Sequence, residues 1–169
     1  MEQPIRATWA VTWDRLHDDT RQLAGRLIHG RRKYRSIVAI TRGGMVPAAI
    51  LARELEIRLV DTLCIASYQD REQGDMTVLK SVDGRGEGVL VVDDLSDTGA
   101  TIRTVREILP EAHVVTVYVK PAGRDVVDEF VTEVPQDCWI LFPWDTSAQH
   151  VAPMALTAAD RSRPHSDAD

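Results

Sequence analysis

The sequence predicts a single α/β domain built on a central, mostly parallel twisted sheet flanked by helices, and three features carry that prediction. Short apolar runs rich in β-branched residues recur at 36–41, 60–68, 89–92 and 112–119, as strands buried on both faces require. Stretches with apolar residues at helical spacing lie between several of them, so strand and helix alternate along the chain. At 169 residues with 44% hydrophobic content, the chain fits one domain with a substantial core.

Trp13, Leu16, Leu23, Ala24 and Leu27 mark a helix from about Trp13, with Thr12 as its N-cap and Gly30 as its end. Its role is read as packing, and Trp9 and Trp13 are read as core aromatics. The basic stretch at 31–35 reads as a solvated loop. Residues 36–41 form the first buried strand, Arg42-Gly43-Gly44 a tight loop, and 46–55 an apolar helix. Arg-Gly-Gly alone is ordinarily just a turn, but one strand-helix unit upstream of an acidic run its functional reading is a pyrophosphate loop, in which paired glycines let backbone N–H groups approach an anion and Arg42 adds a charge-assisted donor. A strand at 60–68 follows, then a polar, charged segment at 69–77 containing Gly74, which reads as a mobile flap.

The run at 89–92 empties into Asp93, Asp94 and Asp97, so acids stand at the carboxyl end of a strand, where open α/β sheets place ligands. Adjacent residues alternate across a strand, so one of Asp93 and Asp94 reaches a metal while the other holds hydroxyls or structure. Thr98-Gly99-Ala100-Thr101 then precedes Ile102, Val105, Ile108 and Leu109, a helical face. A small-residue turn feeding a helix start offers free N–H groups and the positive end of the dipole to a phosphate. Gly99 keeps the backbone accessible, and the Thr98 and Thr101 hydroxyls donate. Carboxylates beside a phosphate turn would repel the ligand unless ribose hydroxyls and Mg²⁺ intervene. The strand at 112–119 ends in Lys120, facing this acid-rimmed site.

A net charge of −6 argues against a general nucleic-acid binder. Cys64 and Cys138 lack metal-type spacing and read as free core thiols; the five histidines are scattered. No apolar run approaches the ~20 residues of a spanning helix, so cytoplasm is expected. Residues 146–169 contain Pro153 and Pro164 and a polar end, dividing the chain into a domain at 1–155 and a disordered tail at 156–169.

Asp93-Asp94-Leu95-Ser96-Asp97-Thr98-Gly99-Ala100-Thr101 resembles the phosphoribosyl pyrophosphate motif of type I phosphoribosyltransferases. Val11-Thr12-Trp13-Asp14, Arg42-Gly43-Gly44, Leu51-Ala52-Arg53-Glu54-Leu55, Lys120-Pro121-Ala122-Gly123-Arg124, Pro135-Gln136-Asp137-Cys138-Trp139-Ile140 and Pro143-Trp144-Asp145 resemble the bacterial xanthine-guanine phosphoribosyltransferases. The resemblance implies the type I fold with a small base-recognition hood, a flap that closes over pyrophosphate, and a non-proline cis peptide in the Arg42 loop. It departs in the flap, where relatives carry a late basic residue and an ungapped count places Gly74; Arg71 is the basic residue on the earlier half.

The implied reaction joins phosphoribosyl pyrophosphate to guanine or xanthine, and less well hypoxanthine, giving GMP, XMP or IMP and pyrophosphate. The implied phosphoribosyl pyrophosphate site comprises Arg42, Gly43 and the run Asp93, Asp94, Leu95, Ser96, Asp97, Thr98, Gly99, Ala100 and Thr101. Asp97 manages the proton at the purine imidazole, Lys120 donates to O6, Trp139 stacks on the ring, the Ile140 carbonyl accepts from C2, and Asp94 anchors Mg²⁺. The same resemblance implies a homotetramer, cytoplasmic or peripheral to the inner membrane. A phosphoribosyl pyrophosphate-sensing regulatory protein of the same fold is the alternative, disfavoured by the intact Asp97, Lys120 and Trp139 set and by the acidic charge.

Overall fold

The computed structural model describes residues 7–67, 76–145 and Met154. Its elements run β1 (Ala7–Ala10), α1 (Trp13–His29), β2 (Ser36–Thr41), α2 (Met45–Glu54), β3 (Val60–Ser67), β4 (Met76–Lys80), β5 (Val89–Ser96), α3 (Ala100–Ile108) and β6 (His113–Val119). A 3-10 turn (Pro121–Val126), β7 (Glu129–Glu133) and β8 (Cys138–Leu141) complete them. Most of the proposed flap and the whole tail at 156–169 lie outside the described residues, although Met76 and Thr77 belong to β4.

Six strands form one sheet in the order β4-β3-β2-β5-β6-β7, parallel throughout except for β4, which runs antiparallel to β3. Alternation along β2 explains how both faces are covered. Ile37 and Ala39 join Leu90 and Val92 under Leu23, Leu27 and Leu51 of the α1 and α2 side. Val38 and Ile40 join Val91 and Val114 under Ile102, Val105 and Leu109 of the α3 side. From β2 the chain moves outward to β3, and from β5 it moves the opposite way to β6. The switch point therefore lies between β2 and β5, whose carboxyl ends carry the Arg42 loop and the acidic run.

Thr12 caps α1 as expected, accepting from the Arg15 N–H at 3.2 Å. Gly30 ends the helix in the right-handed region, and the left-handed residue is instead Arg31, with φ 56°. Beyond it, Arg31, Arg32, Lys33 and Arg35 are exposed, whereas Tyr34 packs against the core and its hydroxyl bonds to Nδ1 of His113. β5 runs four residues past the apolar stretch that predicts it, because β6 pairs with it as far as Ser96 opposite Val119 while β2 has already left at Ala39 opposite Val92.

Outside the main sheet, β1 pairs parallel with β8 from Ala7 opposite Cys138 to Ala10 opposite Leu141. This small unit rests on a third cluster that includes Leu16, Tyr118, Ile140 and Phe142. Behind it, the buried Tyr118 hydroxyl donates to Asp19 Oδ2 at 2.7 Å, and Arg15 Nε donates to the same oxygen at 2.8 Å. Burial and the Asp19 charge push the Tyr118 phenol above its ordinary range, keeping it a donor. Tyr118→Phe is expected to cost about 1 kcal/mol, read as a melting temperature lower by about 2–4 °C.

Candidate active site

At the switch point a cleft of about 870 Å³ opens between the sheet and the β1-β8 unit. Arg42 and Gly43 form one wall, Asp94 and Leu95 the floor, Asp97 and Lys120 a second wall, and Trp139 with Ile140 the hood. Eight of the residues singled out from the sequence are thus brought together. The remaining ones sit beneath or beside them: Asp93 and Ser96 are buried, and Thr98–Thr101 lie on from Asp97 at the start of α3.

The Arg42 loop owes its tightness to contact with β5. A Cβ on Gly43 would fall within the Asp94 carboxylate, and one on Gly44 would overlap the Val92 carbonyl oxygen and lie 2.8 Å from the Ile40 oxygen. The Gly44 N–H is spent on the Ile40 carbonyl at 2.9 Å, so the second glycine serves packing rather than anion approach. The Thr41–Arg42 peptide is cis.

The two adjacent acids differ in setting as strand alternation requires. Asp93 is 7% exposed, and burial, then the neighbouring Asp94 charge, hold its carboxyl well above the usual range. Asp94 is half-buried and faces the cleft; burial raises it too, with the charge of Asp145 adding to the shift. Two desolvated carboxylates and a third nearby make this end of the cleft short of positive charge.

Across the cleft Lys120, 7% exposed, donates from Nζ to Asp97 Oδ2 at 3.0 Å. Its backbone is fixed by an N–H bond to the Ser96 carbonyl at 2.9 Å. The Ser96 hydroxyl donates to the Gly123 carbonyl at 2.9 Å, joining β5 to the 3-10 turn. Gly99, at φ 80°, is the N-cap of α3, and a Cβ there would lie 2.9 Å from Val126 Cγ2. Thr98 Oγ1 accepts from the Ala100 N–H at 3.4 Å, and Arg103 Nη1 donates to the Thr98 carbonyl at 3.0 Å. Gly99→Val, at a φ that β-branched residues rarely adopt and with its Cβ 2.9 Å from Val126 Cγ2, is expected to strain this turn by about 1–3 kcal/mol, read as a lower melting temperature.

Trp13 and Asp145, which line the cleft, and Gln136, which is bonded to the cleft residue Asp97, had no assigned site role in the sequence. Trp13, expected in the core, is 54% exposed and lines the cleft, its ring 6.0 Å from that of Trp144, which stacks on Phe142 at 4.8 Å. Asp145 lines the cleft and accepts from the Phe142 N–H at 2.9 Å. Gln136 donates from Nε2 to Asp97 Oδ1 at 2.9 Å while its Oε1 accepts from the Ala122 N–H at 2.9 Å. Trp13 satisfies the apolar spacing of α1, so only the helix's position at the cleft rim distinguishes it.

Cys64 and Cys138 are free thiols. Among the described residues no helix is long and apolar enough to cross a membrane, and no three His, Cys, Asp or Glu side chains cluster as a metal cage.

A family model described as a phosphoribosyl transferase domain matches residues 12–150. The xanthine-guanine phosphoribosyltransferase of Nitratidesulfovibrio vulgaris strain Hildenborough is 59% identical over 150 residues, covering 88% of this chain and 91% of that protein. The xanthine-guanine phosphoribosyltransferase of Desulfotalea psychrophila is 54% identical over 155 residues, covering 91% and 96%. Among solved structures, the purine phosphoribosyltransferase of Pyrococcus horikoshii superposes with a TM-score of 0.74 at 25% identity, covering 88% of this chain and 99% of that one.

Proposed function

Because the chain belongs to the phosphoribosyltransferase family, we propose that it transfers the 5-phosphoribosyl group from phosphoribosyl pyrophosphate to guanine or xanthine, and less readily to hypoxanthine. The observation that carries this reading is the pairing of buried Lys120 with Asp97 at 3.0 Å under the Trp139 hood. An ammonium beside a carboxylate matches a 6-oxopurine, whose O6 accepts while its imidazole ring gives up a proton. Adenine, with an amino group at that position, offers Lys120 no acceptor.

In the mechanism the purine lies against Trp139 with its C2 edge toward the Ile140 carbonyl. Asp97 takes the proton leaving the imidazole ring, which makes N9 a nucleophile toward the anomeric carbon. The bond to pyrophosphate breaks through an oxocarbenium-like transition state, as in other glycosyl transfers. Arg42 and Gly43 hold the departing pyrophosphate, the 98–101 turn holds the sugar phosphate, and Asp93, the buried member of the acid pair, supports the geometry of Asp94.

The donor set fits Mg²⁺. Asp94 is a hard oxygen ligand that lines the cleft, its carboxyl raised by burial and by the Asp145 charge, and Mg²⁺ is ordinarily held by one or two carboxylates with the rest of its shell from substrate and water. When bound, it offsets charge on the pyrophosphate. By family resemblance the protein works as a cytoplasmic homotetramer, a state sedimentation would read directly.

Pyrophosphate release from a panel of five nucleobases with phosphoribosyl pyrophosphate and Mg²⁺ tests the reading. Turnover with guanine and xanthine and none with adenine, uracil or cytosine is expected; failure of every base in the panel to release pyrophosphate would leave only the sensor alternative. Lys120→Ala is expected to narrow the preference for 6-oxopurines over adenine, loss of one hydrogen-bonding partner being worth about 1–3 kcal/mol; competition between guanine and adenine measures it.

A further inference from the structure

We infer that Gln136 is a positioning residue that fixes the plane of the Asp97 carboxylate and ties it to the loop bearing Lys120. The inference rests on the transfer reaction proposed above. Gln136 lies in the turn between β7 and β8, half-buried, and its amide is used at both ends. Nε2 donates to Asp97 Oδ1 at 2.9 Å and Oε1 accepts from the Ala122 N–H at 2.9 Å. Neither bond survives turning the amide over, because a backbone N–H requires an oxygen and a carboxylate requires a donor.

Asp97 is therefore gripped on both oxygens by groups of different kinds. Lys120, on Oδ2 at 3.0 Å, carries three donors and can redirect one toward a purine O6. The Gln136 amide has no such second task. As a base enters, Oδ2, freed as Lys120 redirects a donor, is the oxygen that accepts the ring proton, while Oδ1 stays held by Gln136 and the carboxylate does not rotate. The same amide bonds the turn after Lys120, through Ala122, and sits just ahead of β8 with Trp139 and Ile140. One side chain thus links proton acceptor, O6 donor and stacking hood, and a misalignment of about 1 Å among such groups can cost on the order of 100-fold in rate.

Two variants separate this role from simple tethering of the turn. Gln136→Glu keeps an acceptor for the Ala122 N–H but turns a carboxylate toward Asp97; Gln136→Leu removes both bonds. Both are expected to lower kcat with guanine by roughly 10- to 100-fold while the KM for phosphoribosyl pyrophosphate stays within about threefold, the pattern of an interaction realised in the transition state. Thermal melting checks the fold, and Gln136→Glu, which retains the turn, decides if the leucine variant melts early. Wild-type kcat in Gln136→Glu would assign the residue to Ala122 alone and overturn the inference, as would a loss carried by KM. Absence of pyrophosphate release from the unaltered protein in the same assay would overturn both the inference and the reaction it rests on.

Discussion

Asp97→Asn is expected to lower kcat by roughly 10²–10⁴-fold, the usual worth of a general base, while leaving nucleotide binding largely intact. The argument is geometric. Asparagine keeps the size and one oxygen of the side chain, and that oxygen can stay on Lys120, whose ammonium stands 3.0 Å from Oδ2. The new NH₂ then faces Gln136 Nε2, a donor against a donor, and Gln136 cannot turn over without abandoning the Ala122 N–H. Local alignment suffers, but the turn at the start of α3, proposed to hold the sugar phosphate, and the Arg42 loop are untouched. What disappears is the task proposed for this position, uptake of the imidazole proton. Steady-state kcat with guanine, paired with calorimetric binding of GMP, measures the two effects apart. A kcat within tenfold of wild type would remove the proton-transfer role from Asp97.

Features that depend on local pattern are legible in the sequence: β2 and α2 follow from their apolar spacing, and the helix at 13–29 from its cap. Long-range pairing is not. β1 is four residues, Ala-Thr-Trp-Ala, mostly exposed, and exists because Cys138–Leu141 lies beside it. The extension of β5 through Asp93, Asp94 and Ser96 has the same cause, since polar residues are held extended by β6. Within the site, Asp97, Lys120 and Trp139 stand out by chemical type and come together in one cleft. Gln136 carries no signal of its own, because an amide in a turn is ordinarily only a turn residue. Gly43 and Gly44 read as an anion cradle by composition, yet their missing side chains make room for β5, a demand set by a strand far along the chain.

That difference between the glycines yields the other large effect. In Gly43→Ala the new methyl meets the tip of the Asp94 side chain, which can rotate away, so the fold is spared and the displaced group is the proposed anchor for Mg²⁺. In Gly44→Ala the methyl meets backbone, the Val92 carbonyl of β5 and the Ile40 oxygen at 2.8 Å, and backbone in the middle of a sheet cannot yield. Overpacking of that kind costs about 1–3 kcal/mol, or a melting temperature lower by roughly 2–12 °C for a domain of this size. Gly43→Ala is expected to melt close to wild type yet lose on the order of 100-fold or more in turnover, as removal of a group positioning reactants does, with a higher Mg²⁺ requirement. Thermal melts and Mg²⁺ titrations of the two variants should therefore diverge. If Gly43→Ala were destabilised as much as Gly44→Ala and kept its turnover per folded molecule, the Asp94 carboxylate would have no part in the chemistry, and the space beside Gly43 would be a packing requirement alone.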